Sequence, residues 1–382
     1  MRKLAIDITF KPTGGVLAQI NQLILNLESY DFEQIIFYTT PDNKNLFENI
    51  NSNKVLVNVV PFSSKSLLFR TIWAQMILPV LLIIYGIDIL FCPGNISPII
   101  NVKKKVQWIG TIGPFEKNFI SFFSFKSRVV LFISKYLIIF SSYTSDMVIF
   151  ESNYTRDMFV KRFKQKIGKS AVIHIGNDIF YKPVETSASE VLNKYKPHDF
   201  ILTVSHLYPY KNLELLIDSY NHLKLNEKDI YILVAGSIAD QSYFNKLKLK
   251  LDIYDISKYV IFLGRVNSFS LREMYSQCKF FVFTSPYENF AYTLIEAMSC
   301  ASPIITTNTT AMPETCGDAA LYFSPDSEKE LSEHILSFLN DENLRLKYKN
   351  MAFLKASEYA VFSDVNNKTN ALLNRVLETK ED

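Results

Sequence analysis

The sequence predicts an α/β protein built from two doubly wound, parallel-sheet domains. Three observations carry that prediction. The chain has 382 residues, too many for one ordinary core and suited to two domains of roughly 150–200 residues each. Short β-rich runs alternate with helix-period segments along its length, the signature of parallel sheets. Several of those runs are apolar without alternation, as when helices cover both faces of a sheet.

In the first half the strand runs are 4–8, 34–38, 55–60, 87–91, 106–109, 147–150 and 171–175. In the second half they are 200–204, 230–235, 260–263, 280–283 and 303–306. Between them, Leu17, Ile20, Ile24 and Leu27 form one helical stripe, and Leu213, Leu216, Ile217 and Tyr220 another. The boundary is expected in 177–198, which holds Pro183, Pro197 and the polar run 185–190. The tail after Ser357 reads as helix, a break near 362–364, then helix again. The window 73–91 contains Gln75, Pro79, Gly86 and Asp88. It reads as a buried helix feeding a buried strand, rather than a span of about 20 apolar residues.

Composition excludes several classes. Hydrophobic residues make up 48%, so a large core is available and disorder is not expected. A formal charge of +3 does not support nucleic-acid binding. The cysteines, Cys92, Cys278, Cys300 and Cys316, lack C-x-x-C or His spacing and read as reduced buried thiols of a cytosolic protein. The start, Met1-Arg-Lys-Leu-Ala-Ile-Asp7, meets Asp7 too early for a secretion signal. No Gly-x-Gly-x-x-Gly and no P-loop occurs, which argues against dehydrogenases and P-loop NTPases.

Three loops carry candidate chemistry. Glu288-Asn-Phe-Ala-Tyr-Thr-Leu-Ile-Glu296 follows a buried strand and opens a helix. Ligands of open α/β sheets sit at the carboxyl ends of strands, and helix-opening N–H groups can face an anion. Thr203-Val-Ser-His-Leu-Tyr-Pro-Tyr-Lys-Asn212 places Lys211 beside a helix N-terminus, a conflict with the helix dipole that a bound diphosphate would remove. Pro12-Thr-Gly-Gly-Val16 permits close backbone approach to a ligand. On their residues alone, Glu288 and Glu296 read equally as loop and solvated helix charges.

Together these loops resemble the family-4 glycosyltransferases, retaining enzymes of the GT-B fold. The family pattern is Glu-Gly-Phe-Gly-Leu-Pro-x-x-Glu, then Ala-Met-Ala-x-Gly-x-Pro. Here Glu288, Phe290, Glu296 and Pro303 match, while Asn289, Ala291 and Ala301 stand where the pattern has glycine. Val260-Ile-Phe-Leu-Gly-Arg-Val266, Met312-Pro-Glu-Thr-Cys-Gly-Asp318, the run 146–156 and the exit segment 173–183 extend the likeness over nearly the whole chain.

The resemblance implies two Rossmann-like domains facing a cleft: 1–180 on the acceptor side, 181–360 for the donor, and 361–382 as a helix packing back on the first. It implies a metal-independent glycosyltransferase, without cofactor, that moves a sugar from a nucleoside-diphosphate sugar to a glycan or polyprenyl-linked acceptor in bacterial surface polysaccharide synthesis. Lys211 and Glu288 would be catalytic, Lys211 holding the diphosphate and Glu288 lying near the donor sugar. Glu296 would bind the ribose. Asn289, Phe290, Ala291, Tyr292 and Thr293 would line sugar and phosphate, Arg265 and Val266 would frame the base, and Gly14 and Gly15 would face the diphosphate. His206 stands where the family usually has Arg, and is largely neutral near pH 7. The loop 110–115 lacks the His many members carry there. That departure keeps open a non-catalytic sugar-nucleotide-binding partner of a glycan-assembly complex, beside a GT-B epimerase or phosphorylase.

A basic, aromatic stretch, Lys103, Lys104, Lys105, Lys117, Phe119, Phe122, Phe123, Phe125, Lys126 and Arg128, suggests peripheral contact with the cytoplasmic face of a membrane. The same stretch reads equally as a core helix with a solvated rim.

Overall fold

A computed structural model describes residues 2–12, 14–48, 50–61, 67–100, 103–164, 169–185, 192, 194–195 and 198–379. Thr13, the run 186–190 and Pro197 of the sequence reading lie outside them. The chain divides into two compact units: Met1–Gly176 with Ala360–Asp382, and Asn177–Tyr359.

The first unit runs β1 (Lys3–Ile8), α1 (Gly14–Leu25), β2 (Gln34–Thr39), β3 (Val55–Val59), α2 (Leu67–Ile72), α3 (Leu78–Ile84), β4 (Ile89–Cys92), β5 (Lys104–Ile109), α4 (Lys117–Ser121), α5 (Phe125–Tyr143), β6 (Met147–Phe150), α6 (Asn153–Phe163) and β7 (Ser170–Val172). Its sheet has the order β3-β2-β1-β4-β5-β6-β7, every pairing parallel. The second unit runs β8 (Phe200–Val204), α7 (Leu213–His222), β9 (Tyr231–Ala235), α8 (Gln241–Ile253), β10 (Val260–Gly264), α9 (Ser268–Gln277), β11 (Phe280–Phe283), α10 (Tyr292–Ser299), β12 (Ile304–Thr307), α11 (Met312–Cys316), β13 (Ala320–Phe323), α12 (Glu328–Asn340) and α13 (Glu342–Ser357). Its sheet, β10-β9-β8-β11-β12-β13, is also parallel throughout. The sequence reading had no strand at β13, whose four residues follow a 3-10 turn without a distinguishing run.

Alternation along the first sheet sets two packing layers. Leu4, Ile6 and Ile8 join α1 and the last helix, α14 (Phe362–Glu378), in one core. Ala5, Ile36, Tyr38 and Leu90 face the opposite layer, with Trp73, Leu78 and Leu82. The break before α14 falls at 358–361, earlier than the sequence suggests. There the chain presses on Gly176, where a Cβ would stand 2.6 Å from the Phe362 backbone; glycine alone fits that approach. All four cysteines are buried and free.

Two expectations need correction. The helix expected to be buried within 73–91 is only half buried. It runs continuously over 67–84, passing Pro79 because the turn before it, Trp73–Ile77, widens into a π-helix. Trp73, Ala74, Leu78 and Leu82 point inward, while Met76, Val80, Ile83 and Ile84 are exposed. The basic, aromatic stretch does not lie on one helix: it runs through β5, α4 and the start of α5, and α5 continues beyond it with an exposed apolar stripe. Nor do the lysines 103–105 form one surface patch. Lys105 is buried, donates to Thr144 Oγ1 at 2.7 Å and to the Pro98 carbonyl, and is pulled down to about 8 by burial. Lys104 pairs with Asp146 at 3.5 Å.

Candidate functional site

In the second sheet the strand order reverses between β8 and β11, which lie side by side. The loops leaving their carboxyl ends therefore part to opposite faces and leave a crevice, where ligands of open α/β sheets bind. The loop after β8 ends in a 3-10 turn, Pro209–Lys211, and Asn212, in the left-handed region at φ 54°, feeds α7. The loop after β11 is 284–291, and Ala291, at the N-cap of α10, makes no side-chain capping bond.

Lys211 and Glu288 meet across this crevice. Lys211 Nζ donates to Glu288 Oε1 at 2.5 Å, with side chains 14% and 17% exposed. The ammonium also lies 5.1 Å from the Tyr210 ring and 5.6 Å from Phe283. Burial pulls Lys211 toward neutrality, but Glu288 and Tyr210 outweigh it and the net displacement is upward. Lys211 is therefore a cation at neutral pH, and the dipole conflict read from the sequence is met here by a carboxylate. Thr284 Oγ1 donates to the Lys211 carbonyl at 2.7 Å, tying the two loops together.

The Glu288 loop is braced from the neighbouring strand end. The hydroxyls of Thr307 and Thr309 donate to the carbonyls of Ser285 and Pro286, both at 2.9 Å. Glu288 N–H donates to Thr310 Oγ1 at 3.3 Å. Sequence reasoning missed these threonines, although Thr306-Thr-Asn-Thr-Thr310, running off the end of a buried strand, is a signal that could have found them.

Glu296 has a different set of partners. It lies in the second turn of α10 and is 8% exposed, not a solvated helix charge. Tyr275 Oη donates to its Oε2 at 3.1 Å. Burial pushes the carboxyl up to about 7, the Tyr275 and Tyr181 hydroxyls pull it back, and Asp178 adds to the rise. Neither tyrosine was singled out from the sequence, because each lies on an element remote from Glu296 along the chain.

The loops after β8, β9 and β10 form the other wall. Gly236 adopts φ 142°, and a Cβ there would stand 1.9 Å from the Ser205 carbonyl oxygen. Its N–H donates to the Gly264 carbonyl at 2.8 Å. That approach brings Ser237 Oγ within 2.7 Å of His206 Nδ1. Partial desolvation, then the charges of Lys211 and Arg265, hold His206 below its ordinary 6.5, so its ring is neutral at pH 7. Arg265 is exposed and Val266 half-buried. Asn289, Phe290 and Ala291 are buried, Phe290 edge-on to Tyr359 at 5.8 Å, and Tyr292 and Thr293 are half-buried.

Gly14 and Gly15 belong to the other unit, in the first turn of α1, where Gly14 has φ 56° and open space at its Cβ position. In that unit Gly110, in the loop without His, packs on the buried Glu151, whose Oε1 would lie 2.5 Å from a Cβ at 110 and accepts from Trp108 Nε1 at 3.1 Å. Phe115 turns into the core against Phe159 and Phe163.

Residues 184–354 match the family model for glycosyl transferases group 1. That match covers most of the second unit. Among curated relatives, the O-antigen chain mannosyltransferase B of Escherichia coli is 25% identical over 53% of this chain and 54% of its own length. The N-acetylgalactosamine-N,N'-diacetylbacillosaminyl-diphospho-undecaprenol 4-alpha-N-acetylgalactosaminyltransferase of Campylobacter jejuni is 27% identical over 59% of this chain and 60% of its own. The matches thus span little more than half of each relative. The structure of HepE from Anabaena, in complex with UDP and glucose, shares the fold at a TM-score of 0.75 and 18% identity, over 98% of this chain and 99% of that one. The fold is therefore GT-B, with two Rossmann-like units.

Proposed function

We propose that the protein transfers a sugar from a nucleoside-diphosphate sugar to a glycan or polyprenyl-linked acceptor, with retention of configuration, at the cytoplasmic face of a bacterial membrane during surface polysaccharide synthesis. The Lys211–Glu288 pair at the β8–β11 crevice carries this reading. A carboxylate holds the cation until a diphosphate arrives. The diphosphate takes Lys211, and Glu288 is released toward the donor sugar hydroxyls. Helix-opening N–H groups at Ala291 to Thr293 add donors to the phosphate, and Glu296, ionised, accepts from the ribose hydroxyls. Arg265 and Val266 frame the base and His206 contributes a neutral hydrogen bond, while the Gly14–Gly15 turn of the first unit leaves room for close backbone approach to a ligand.

The chemistry is electrostatic. Lys211 and backbone dipoles stabilise the leaving diphosphate without a metal ion, and a phosphate oxygen takes the acceptor's proton as the acceptor attacks on the same face. The relatives that act as mannosyl- and N-acetylgalactosaminyltransferases support a glycosyl donor, and the one acting on a diphospho-undecaprenol substrate supports a lipid-linked acceptor. HepE with UDP and glucose supports the nucleotide class.

A thermal-shift panel of UDP-, GDP- and dTDP-sugars tests the donor. A donor at about one hundred times its dissociation constant adds about 2.7 kcal/mol, and Lys211→Ala removes most of the shift. No shift with any nucleotide sugar would sink the reading.

A further inference from the structure

The first unit carries two helices that are apolar outward as well as inward. In α5 the inward face combines Ile138 and Ile139 with two buried serines: Ser141 Oγ accepts from Gln107 Nε2 at 2.9 Å, and Ser141 and Ser142 are buried. The outward face is an apolar, largely aromatic stripe at helical spacing: Phe125, Val129, Phe132, Tyr136, Phe140 and Tyr143, with Phe125 83% exposed. Phe132, Tyr136 and Phe140 form a ladder of rings 4.8 and 6.2 Å apart in the open. The run 67–84 repeats the pattern. Gln75 turns inward, its Nε2 donating to the Ser97 carbonyl at 3.1 Å and its Oε1 accepting from Ile99 N–H at 2.7 Å. Met76, Val80, Ile83 and Ile84 point outward, Met76 66% and Ile84 68% exposed.

Both helices cover the same face of the first sheet. Trp73, Leu78 and Leu82 pack on Tyr38 and Leu90, and Ile138 and Ile139 pack on Ile109, Val148 and Phe150 further along it. The loop that Gln75 holds reaches Ser145 through Ser97, whose hydroxyls lie 3.3 Å apart. The two stripes therefore open outward from one side of the unit, where a water-facing protein would spend polar side chains.

Charge selects the occupant. There is no acidic residue in 67–85 or in 117–145. The second segment holds Lys117, Lys126, Arg128 and Lys135, and Lys117, Lys126 and Arg128 are exposed. A second copy meeting this face about a two-fold axis would set cations against cations. An anionic lipid surface complements them, with aromatic rings at headgroup depth and the lysines beside them. No helix among the described residues is long and apolar enough to cross a membrane.

We propose that this two-helix face lies on the surface of an anionic lipid bilayer and docks the first unit there. The inference names the contact that the transferase reading leaves undefined, yet stands on this unit alone. The test is flotation of the full chain with phosphatidylcholine vesicles, with and without phosphatidylglycerol, at low and high salt. Wild type floats with the anionic vesicles. Phe132→Ser with Phe140→Ser lowers the partition coefficient about tenfold or more. Lys117→Glu with Lys126→Glu lowers it at least as much, since each basic residue near an anionic leaflet is worth about fivefold. All four side chains point outward, so these variants keep the wild-type melting curve and the nucleotide-sugar thermal shift. That shift separates loss of docking from failure of the donor reading. No flotation at low salt, or flotation unchanged in both variants, overturns the proposal. So does a wild-type dimer in sedimentation velocity that Phe132→Ser with Phe140→Ser turns into a monomer without vesicle binding, which would make a second copy the occupant.

Discussion

Glu296→Gln isolates the energetic weight of one buried carboxyl. Burial lifts Glu296 from the ordinary 4.5 to about 7. The native state therefore binds this proton more tightly than the unfolded chain does. The stabilising contribution is complete below pH 4.5 and is lost as pH rises to about 7. At about 1.4 kcal/mol per pH unit, that displacement amounts to about 3 kcal/mol. The glutamine amide is nearly isosteric with the carboxyl and can still accept from the Tyr275 hydroxyl, but it does not titrate. The variant should match wild type near pH 4.5 and gain on it steadily to about pH 7, ending about 3 kcal/mol more stable. For a unit of this size, 1 kcal/mol moves the melting midpoint by roughly 2–4 °C. The measurement is a pair of thermal melts at each of several pH values from 4.5 to 8. The quantity read is the difference between the two proteins, because two units need not melt together. Parallel curves across that range would refute the reasoning, since the carboxyl would then not be governed by burial. The same substitution weakens nucleotide binding above pH 7, where Glu296 would accept from ribose hydroxyls.

Lys211→Met or Glu288→Leu alone leaves an uncompensated half-buried charge and costs about 3 kcal/mol, whereas the double variant returns to within about 1 kcal/mol of wild type in a denaturation cycle. Either single change, and the double, lowers transfer rate by about 10²–10³, read as product formed per enzyme. Ala301 occupies the left-handed position of the turn ending α10, where Ala301 N–H donates to the Met298 carbonyl and Ser302 N–H to that of Ala297. Gly86 fills the equivalent place after α3. Ala301→Gly should therefore stabilise by about 0.5–1 kcal/mol in chemical denaturation, because the relief of left-handed strain exceeds glycine's unfolded-state entropy. Gly236→Ala should cost more than about 2 kcal/mol, because the Ser205 carbonyl blocks its Cβ. It should also weaken donor binding in calorimetry as the His206–Ser237 contact shifts.

Most strands were legible because a buried parallel strand announces itself locally. The runs at 200–204 and 280–283 coincide with β8 and β11. β13 was not legible, since Ala320-Leu-Tyr-Phe323 is too short to separate from turn. Pro79 lies within the helix because the π turn before it takes up the missing donor, an adjustment that depends on packing around Trp73. In the site, Lys211 and Glu288 were each visible as charges at strand ends. Their contact was not, because a separation of 77 positions along the chain closes only when β8 and β11 pair.

Taken alone, the sequence determined the α/β alternation, the two-unit scale and the loops that bear charge, because periodicity and turn residues act within a few positions of the chain. The tertiary structure decided which charges meet, where a proton is held and which way each stripe faces. Lys211 acquires Glu288 only through strand order. Glu296 acquires its raised affinity for a proton only by burial beside Tyr275 and Tyr181. The stripes of α5 and of 67–84 recur at helical spacing, but a period has no sign. Only the sheet packed beneath them, with Gln75 and Ser141 turned inward, sends the apolar side chains out.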